Sequence, residues 1–348
     1  MQPAADPRAQ LADFAHYLRS HGFALGYAEV SLMLQAAAAL PLRKLAFPAL
    51  GTQCEVQYAA PGGDDQAVTF ERVAVAWVAA FEAKYSRFRA GSLISRINAA
   101  AGRDWVDVDA EMEGLLKLCD TLHFMTQGVL DPTTLPLIRL WNYQAESPRV
   151  PNSAEIAAAR AFVGWKKVQR APGRVFLPAT GMALDFGGFG KEYAVDIVAQ
   201  LALDHGVTSA LVDFGHDLRA LGTPPGRPAW HIGLEDPRRP GTAAGSIGVT
   251  GKGVASSGDY LRSFIVGGKR YGHIIDPRTG WPVANGCTQA TVLAGSCLQA
   301  GVLSTTAFVL GVPKGIEFIQ ACPGAEGLLL TSDTRAQTRG FFNYVSSN

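Results

Sequence analysis

The stretch RYGHIIDPRTGWPV, Arg270 to Val283, gathers His273, Asp276, Arg278 and Thr279 around a turn bracketed by Pro277 and Gly280. Proline and glycine serve the backbone of a turn; a histidine and a carboxylate ahead of them exceed what a turn needs. The cluster is either a site loop or a plain strand, GHII, entering a DPRTG turn with His273 capping locally. A second stretch, ALDFGGFGKEYAVD (Ala183 to Asp196), reads as strand, glycine turn and helix. Gly187, Gly188 and Gly190 let backbone N–H groups approach a ligand, and the start of the helix favours an anion there. Lys191 stands at that helix mouth as a compact cation suited to phosphate, and Asp185 precedes the glycines. The spacing is neither the dinucleotide GxGxxG nor the P-loop GxxxxGK[ST], so a tight strand–helix corner remains the alternative.

A third stretch, LVDFGHDLRALG (Leu211 to Gly222), places Asp213, His216 and Asp217 at a strand end. It is either half of a metal pair or an Asx-type turn closing a hairpin. No HExxH or comparable ligand spacing occurs, and VASSGDY (Val254 to Tyr260) does not make a nucleophile elbow.

The elements that must hold these residues alternate in batches. Two helices are expected over residues 8–42, then a strand from Leu42 to Ala60 interrupted by Pro48 and Gly51. Helical spacing runs from Val68 to Phe88, with Thr69 at the N-cap, and again over Asp109–Thr126. A helix capped by Ser153 follows, then strands on both sides of Pro172 and Gly173, and the helix after the glycine turn. From Ser209 to Gly280 short strands and turns dominate; a strand, two helices and a last strand near Gly327 close the chain. This is α+β, mostly antiparallel strands with inserted helices and a ligand site in a central cleft.

Of 348 residues, 48% are hydrophobic and 18% charged, which excludes wholesale disorder. A net charge of +1 supplies no basic field for nucleic acid and points to a small-molecule site. The five cysteines show no CxxC pair and fit reduced thiols in the cytoplasm. The first residues lack a basic start followed by an apolar core, and Val30–Leu42 is too short to span a bilayer, so the chain is expected not to be membrane-spanning.

LGTQCEV, KYSRFRAGSLISRIN, GVLDPTTLPLIRLW, LDFGGFGKEYAVD, ALVDFGHDLRALG, VASSGDYLRSF, HIIDPRTGWPV and LSTTAFVLG occur in this order. In this the chain resembles the ApbE family, the FAD:protein FMN transferases, over residues 45–348; residues 1–44 form a helical extension outside it. The resemblance implies an enzyme that binds FAD, splits its pyrophosphate, passes FMN to a Ser or Thr hydroxyl of a target flavoprotein and releases AMP, with Mg²⁺ bridging the phosphates. It places Leu50 against the flavin and Phe88 at an aromatic position of the site. Val129, Leu130 and Asp131 line the nucleotide, Asp185 and Lys191 bracket the phosphate loop, and Ile275 closes over FAD. Gly188 offers a carbonyl to the metal, with Thr305 and Ser304 beside it. His273 removes the proton from the target hydroxyl, and Lys191 assists at the phosphates.

The chain departs from the family pattern at one wall. Where relatives read ADALST, with an Asp holding the metal one helical turn before the Thr, this sequence reads AGVLST, with Gly301 in the acidic position. Glu192 replaces the glycine after the lysine, and Asp213 and His216 alter the NxGGD stretch. Glu192, Asp213 and His216 are the candidates to replace the carboxylate, and Gly301→Asp is expected to restore it at no cost in stability. The alternatives to transfer are a non-catalytic FAD carrier or assembly factor, and an FAD pyrophosphate hydrolase of altered metal use.

Overall fold

The structure, a computed structural model, describes residues 40–239 and 241–346. The expected N-terminal helices lie outside these up to residue 39, and the boundary expected at residue 44 falls inside the first strand. Strands β1 (Arg43–Ala49) and β2 (Thr52–Ala59) are joined through Leu50 and Gly51, whose φ values of 53° and 71° make a two-residue hairpin turn. Pro48 does not interrupt β1, because β1 is an edge strand and no further partner needs the missing N–H.

One eight-stranded antiparallel sheet organises the chain, its strands lying side by side in chain order. After β2 come β3 (Ser209–Phe214), β4 (Asp217–Leu221), β5 (Gly253–Gly258), β6 (Cys287–Ala294), β7 (Glu326–Thr331) and β8 (Arg335–Gln337). Helices enter between them: α1 (Gly63–Tyr85), α2 (Leu93–Ala100), α3 (Ala110–Met125), α4 (Leu135–Trp141), α5 (Ser153–Arg160), α6 (Gly190–Asp204), α7 (Cys297–Leu310) and α8 (Lys314–Gln320).

Strand β2 alternates as a half-buried strand should, turning Cys54, Val56 and Tyr58 inward. Against that face α1 buries Phe70, Ala74, Val78, Phe81 and Tyr85, and α6 buries Val195, Val198 and Ala202, each a stripe at helical spacing. Helix α7 is buried almost all round and packs on β5 and β6. The opposite face, through Leu211, Leu218 and Val254, is covered by Trp230, Ile232, Ile247 and Val249 of the hairpin Trp230–Glu235 with Ala243–Val249. Such side chains each contribute roughly 1.5–3 kcal/mol on burial.

Three local expectations change. Helix α1 starts at Gly63 rather than at a Thr69 cap and ends at Tyr85, short of Phe88; the Thr69 hydroxyl donates inside the helix to the Asp65 carbonyl. Asn152, not Ser153, caps α5, because its side chain and Glu155 form a reciprocal capping box. Ala183–Phe186 is extended but joins no sheet: Leu184 exchanges both backbone bonds with the Asn98 side chain, and Asp185 N–H donates to the Pro132 carbonyl.

Candidate active site

The three stretches converge on one cleft of about 1700 Å³. Its floor holds two hairpin tips. Leu50 and Gly51 end β1–β2, and Gly215 and His216, at φ 62° and 72°, end β3–β4. The tips are stitched together, since Gly215 N–H donates to the Gln53 carbonyl and a Cβ on Gly215 would overlap the Thr52 hydroxyl. His216 therefore occupies left-handed backbone that suits glycine, and Asp213 Oδ1 accepts its N–H at 2.7 Å. Asp213 and His216 close an Asx-type hairpin turn, the plainer of the two readings. Leu50, first of the two residues in its own turn, also has positive φ, its N–H donating to Glu82 Oε1 at 3.2 Å.

The glycine turn forms the next wall. Asp185 turns its carboxylate back, accepting from Gly187 N–H at 3.1 Å and pairing with Arg87 Nε at 3.1 Å. None of Gly187, Gly188 and Gly190 has positive φ, and a Cβ on Gly188 would meet only Leu130, at 3.8 Å. Backbone conformation and protein packing thus do not require glycine at 188, which lines the open cleft. Lys191, on the first turn of α6, pairs with Asp217 and reaches the Gly215 carbonyl at 3.4 Å. Burial opposes its charge, but the Asp217 and Glu192 carboxylates outweigh this and raise its pKa above the ordinary lysine value.

Behind Lys191, α6 packs on α7. Asp196 accepts the N–H groups of Cys297 and Leu298, both at 2.8 Å, and one turn away on each helix Glu192 faces Gly301. A Cβ on Gly301 would lie 2.6 Å from Glu192 Cγ and 3.0 Å from Oε1. Gly301→Asp is therefore not free of cost, as the sequence alone suggested: its side chain would enter space that Glu192 fills. Glu192 is buried, and its Oε2 has no hydrogen-bond partner. Burial, with the Asp217 carboxylate beside it, pushes its pKa well above the usual glutamate range.

Further along α7, Thr305 lines the cleft with its Oγ1 2.9 Å from Ser257 Oγ. Ser304 does not reach the cleft: it is 1% exposed, and its hydroxyl donates to the Gly301 carbonyl at 3.1 Å. Its hydroxyl also lies 3.0 Å from Ser257 Oγ, the cleft-lining hydroxyl that Thr305 meets, so Ser304 stands directly behind the cleft wall.

The Arg270–Val283 stretch divides in two. Asp276 binds Arg278 through both oxygens, at 2.9 and 2.8 Å, and its carbonyl accepts the Thr279 and Gly280 N–H groups. That half is a structural turn, with Gly280 at φ 79° and its carbonyl accepting the Trp141 indole N–H at 2.9 Å. His273 and Ile275, ahead of it, line the cleft. His273 Nδ1 lies 3.2 Å from the Arg262 carbonyl, which only accepts, so Nδ1 carries the proton and Nε2 keeps a lone pair. Burial, followed by the Arg262 charge, lowers its pKa to about 4, so the ring is neutral at pH 7.

Leu50, Phe88, Val129, Leu130, Asp131, Asp185, Gly188, Lys191, His273, Ile275 and Thr305 all line this cleft. Phe88 is 80% exposed there, with the Arg87 guanidinium 4.1 Å from its ring centre. The Asp131 carboxylate is used internally, accepting from the Thr133 hydroxyl and the Trp165 N–H. Arg87, Glu82 and Ser257 also belong to the site. VASSG gave a signal for Ser257 only as a failed elbow; Arg87 and Glu82 were not singled out from the sequence. Among the described residues no cluster of three or more His, Cys, Asp or Glu could hold a metal, and no helix is long and apolar enough to cross a membrane.

Residues 50–329 match the ApbE family. An FAD:protein FMN transferase of Klebsiella pneumoniae (strain 342) is 33% identical over 209 residues, 59% of this chain and 64% of the relative. The chain thus spans under two thirds of that relative's length, whereas an FAD:protein FMN transferase of Treponema pallidum (strain Nichols) is 30% identical over 72% of this chain and 73% of its own. The crystal structure of the ApbE protein of Thermotoga maritima superposes with a TM-score of 0.80 at 30% identity, covering 88% of this chain and 100% of that one.

Proposed function

Because the chain belongs to the ApbE family, we propose that it is an FAD:protein FMN transferase, acting in the cytoplasm on a Ser or Thr hydroxyl of a flavoprotein acceptor. The observation that carries this is the meeting, in one cleft, of a neutral imidazole, an uncrowded glycine turn at a helix start and a hydroxyl of α7. The five cysteines are all free, which supports a reducing compartment.

In this reading FAD lies with its flavin against Leu50 and its pyrophosphate at the glycine turn, where the start of α6 and Lys191 favour negative charge. The acceptor oxygen attacks the phosphorus of the FMN half. A new P–O bond forms, the bridging P–O bond breaks, and AMP leaves with the bridging oxygen and its electron pair. The acceptor proton passes to His273 Nε2. Val129, Leu130 and Ile275 keep water from the reacting phosphorus. Asp217 positions the Lys191 ammonium, so that it serves as an oriented cation at the phosphates.

The residues present fit a magnesium ion held chiefly by substrate phosphates. Thr305 offers a hydroxyl, Gly188 a backbone carbonyl at the cleft, and the unpartnered Glu192 Oε2 a carboxylate oxygen. Such an ion would neutralise the pyrophosphate as charge develops on the leaving AMP. Calorimetry with FAD followed by AMP release in Mg²⁺ tests the reading. Binding with AMP release is expected; a folded protein that binds no FAD contradicts it.

A further inference from the structure

The wall that lacks its family carboxylate is not empty. Helices α6 and α7 run in opposite senses along their contact, for Asp196 meets Cys297 and, one turn away, Glu192 meets Gly301. Glu192 Cγ and Oε1 stand where the first atoms of a side chain at 301 would be. The two sequence departures, a carboxylate lost on one helix and a glycine lost on the other, are thus one exchange across one contact. Glu192 lines the cleft, as does Thr305, one turn along α7 from Gly301; Gly301 itself does not.

The head of Glu192 is held by no protein donor, and the Asp217 carboxyl lies beside it. Glu192 Oε2 is buried without a donor, while the neighbouring Lys191 ammonium is directed to Asp217 and the Gly215 carbonyl. A buried carboxylate oxygen without a donor is costly unless a proton or a cation neutralises it, and a divalent cation takes the place of the proton. We infer that the metal-binding carboxylate has moved between helices: Glu192 of α6 holds the divalent cation in place of a side chain at position 301 of α7. This rests on the transferase reading only for the substrate phosphates that complete the cation's shell. Asp213 is instead engaged through Oδ1 in the hairpin turn with His216, away from the contact between Glu192 and Gly301.

The test is Mn²⁺ binding, followed by electron paramagnetic resonance, to the full chain saturated with FAD. Glu192→Gln keeps the shape and removes the charge. It should raise the Mn²⁺ dissociation constant by at least about tenfold, with FAD affinity in EDTA measured beside it to separate loss of the cation from loss of the flavin. The paired change Glu192→Gly with Gly301→Asp should restore wild-type Mn²⁺ affinity, and it decides the matter if Glu192→Gln fails to fold. Wild-type Mn²⁺ affinity in Glu192→Gln, or none in the paired variant, overturns the inference. Absence of FAD binding in EDTA would instead contradict the flavin reading, and the Mn²⁺ comparison is then made with ADP as the phosphate donor.

Discussion

Asp196 of α6 holds the first two backbone N–H groups of α7, Cys297 and Leu298, at 2.8 Å each. This bond pair sets the register that puts Glu192 against Gly301 and aims Thr305 into the cleft. Asp196→Ala leaves those donors buried without acceptors. It should destabilise the protein by about 1–2 kcal/mol, the upper range for a lost helix cap, read from urea unfolding midpoints. Asp196→Asn should recover part of this, and an unchanged midpoint for Asp196→Ala would show that the register is fixed elsewhere.

Gly301→Asp alone should lower stability and not raise AMP release. Its Cβ would lie 2.6 Å from Glu192 Cγ, an overpacking that typically costs about 1–3 kcal/mol. Thermal unfolding of the single variant beside the pair with Glu192→Gly checks this. A single variant as stable as wild type would show that Glu192 moves aside freely.

His216→Gly should stabilise. The residue sits at φ 72° on an exposed turn, and relief of left-handed strain, less the added freedom of glycine when unfolded, leaves a gain of up to about 1 kcal/mol. AMP release should stay at the wild-type level. A fall in AMP release with unchanged FAD affinity would give the imidazole a catalytic role.

His273 sets a pH dependence. Its folded pKa of about 4 lies below the ordinary 6.5, so the unfolded chain binds this proton first as pH falls. The contribution to stability is complete above pH 6.5 and is lost as pH drops through 4. His273→Gln should flatten that decline between pH 7 and pH 4 while lowering AMP release by about 100-fold or more. A variant that keeps both the decline and the activity would remove His273 from the site.

Much of this was legible in the sequence, because strand alternation, helical stripes and turn residues are local. The α+β class, α3 to within a residue at each end and the helix after the glycine turn follow from spacing alone. Cap positions slipped where two capping residues adjoin, as at Asn152 and Ser153. Ala183–Phe186 resembles a strand in composition, yet the Asn98 side chain takes the bonds a neighbouring strand would have made. The site was legible as a set of stretches and not as contacts. Asp276 sits beside site residues in sequence and spends its carboxylate on Arg278, whereas Glu192 and Gly301 are remote in sequence and touch. No local pattern encodes a contact between two helices.

Covalent transfer is the central claim, and intact-mass spectrometry of an acceptor reads it directly. A flavoprotein domain bearing an acceptor Ser or Thr is incubated with this protein, FAD and Mg²⁺, with an EDTA control. The account predicts an acceptor heavier by one FMN moiety, matched by released AMP, with neither in EDTA and both much reduced in Glu192→Gln. FAD bound by the protein with the acceptor mass unchanged and no AMP released would contradict it and leave a flavin carrier.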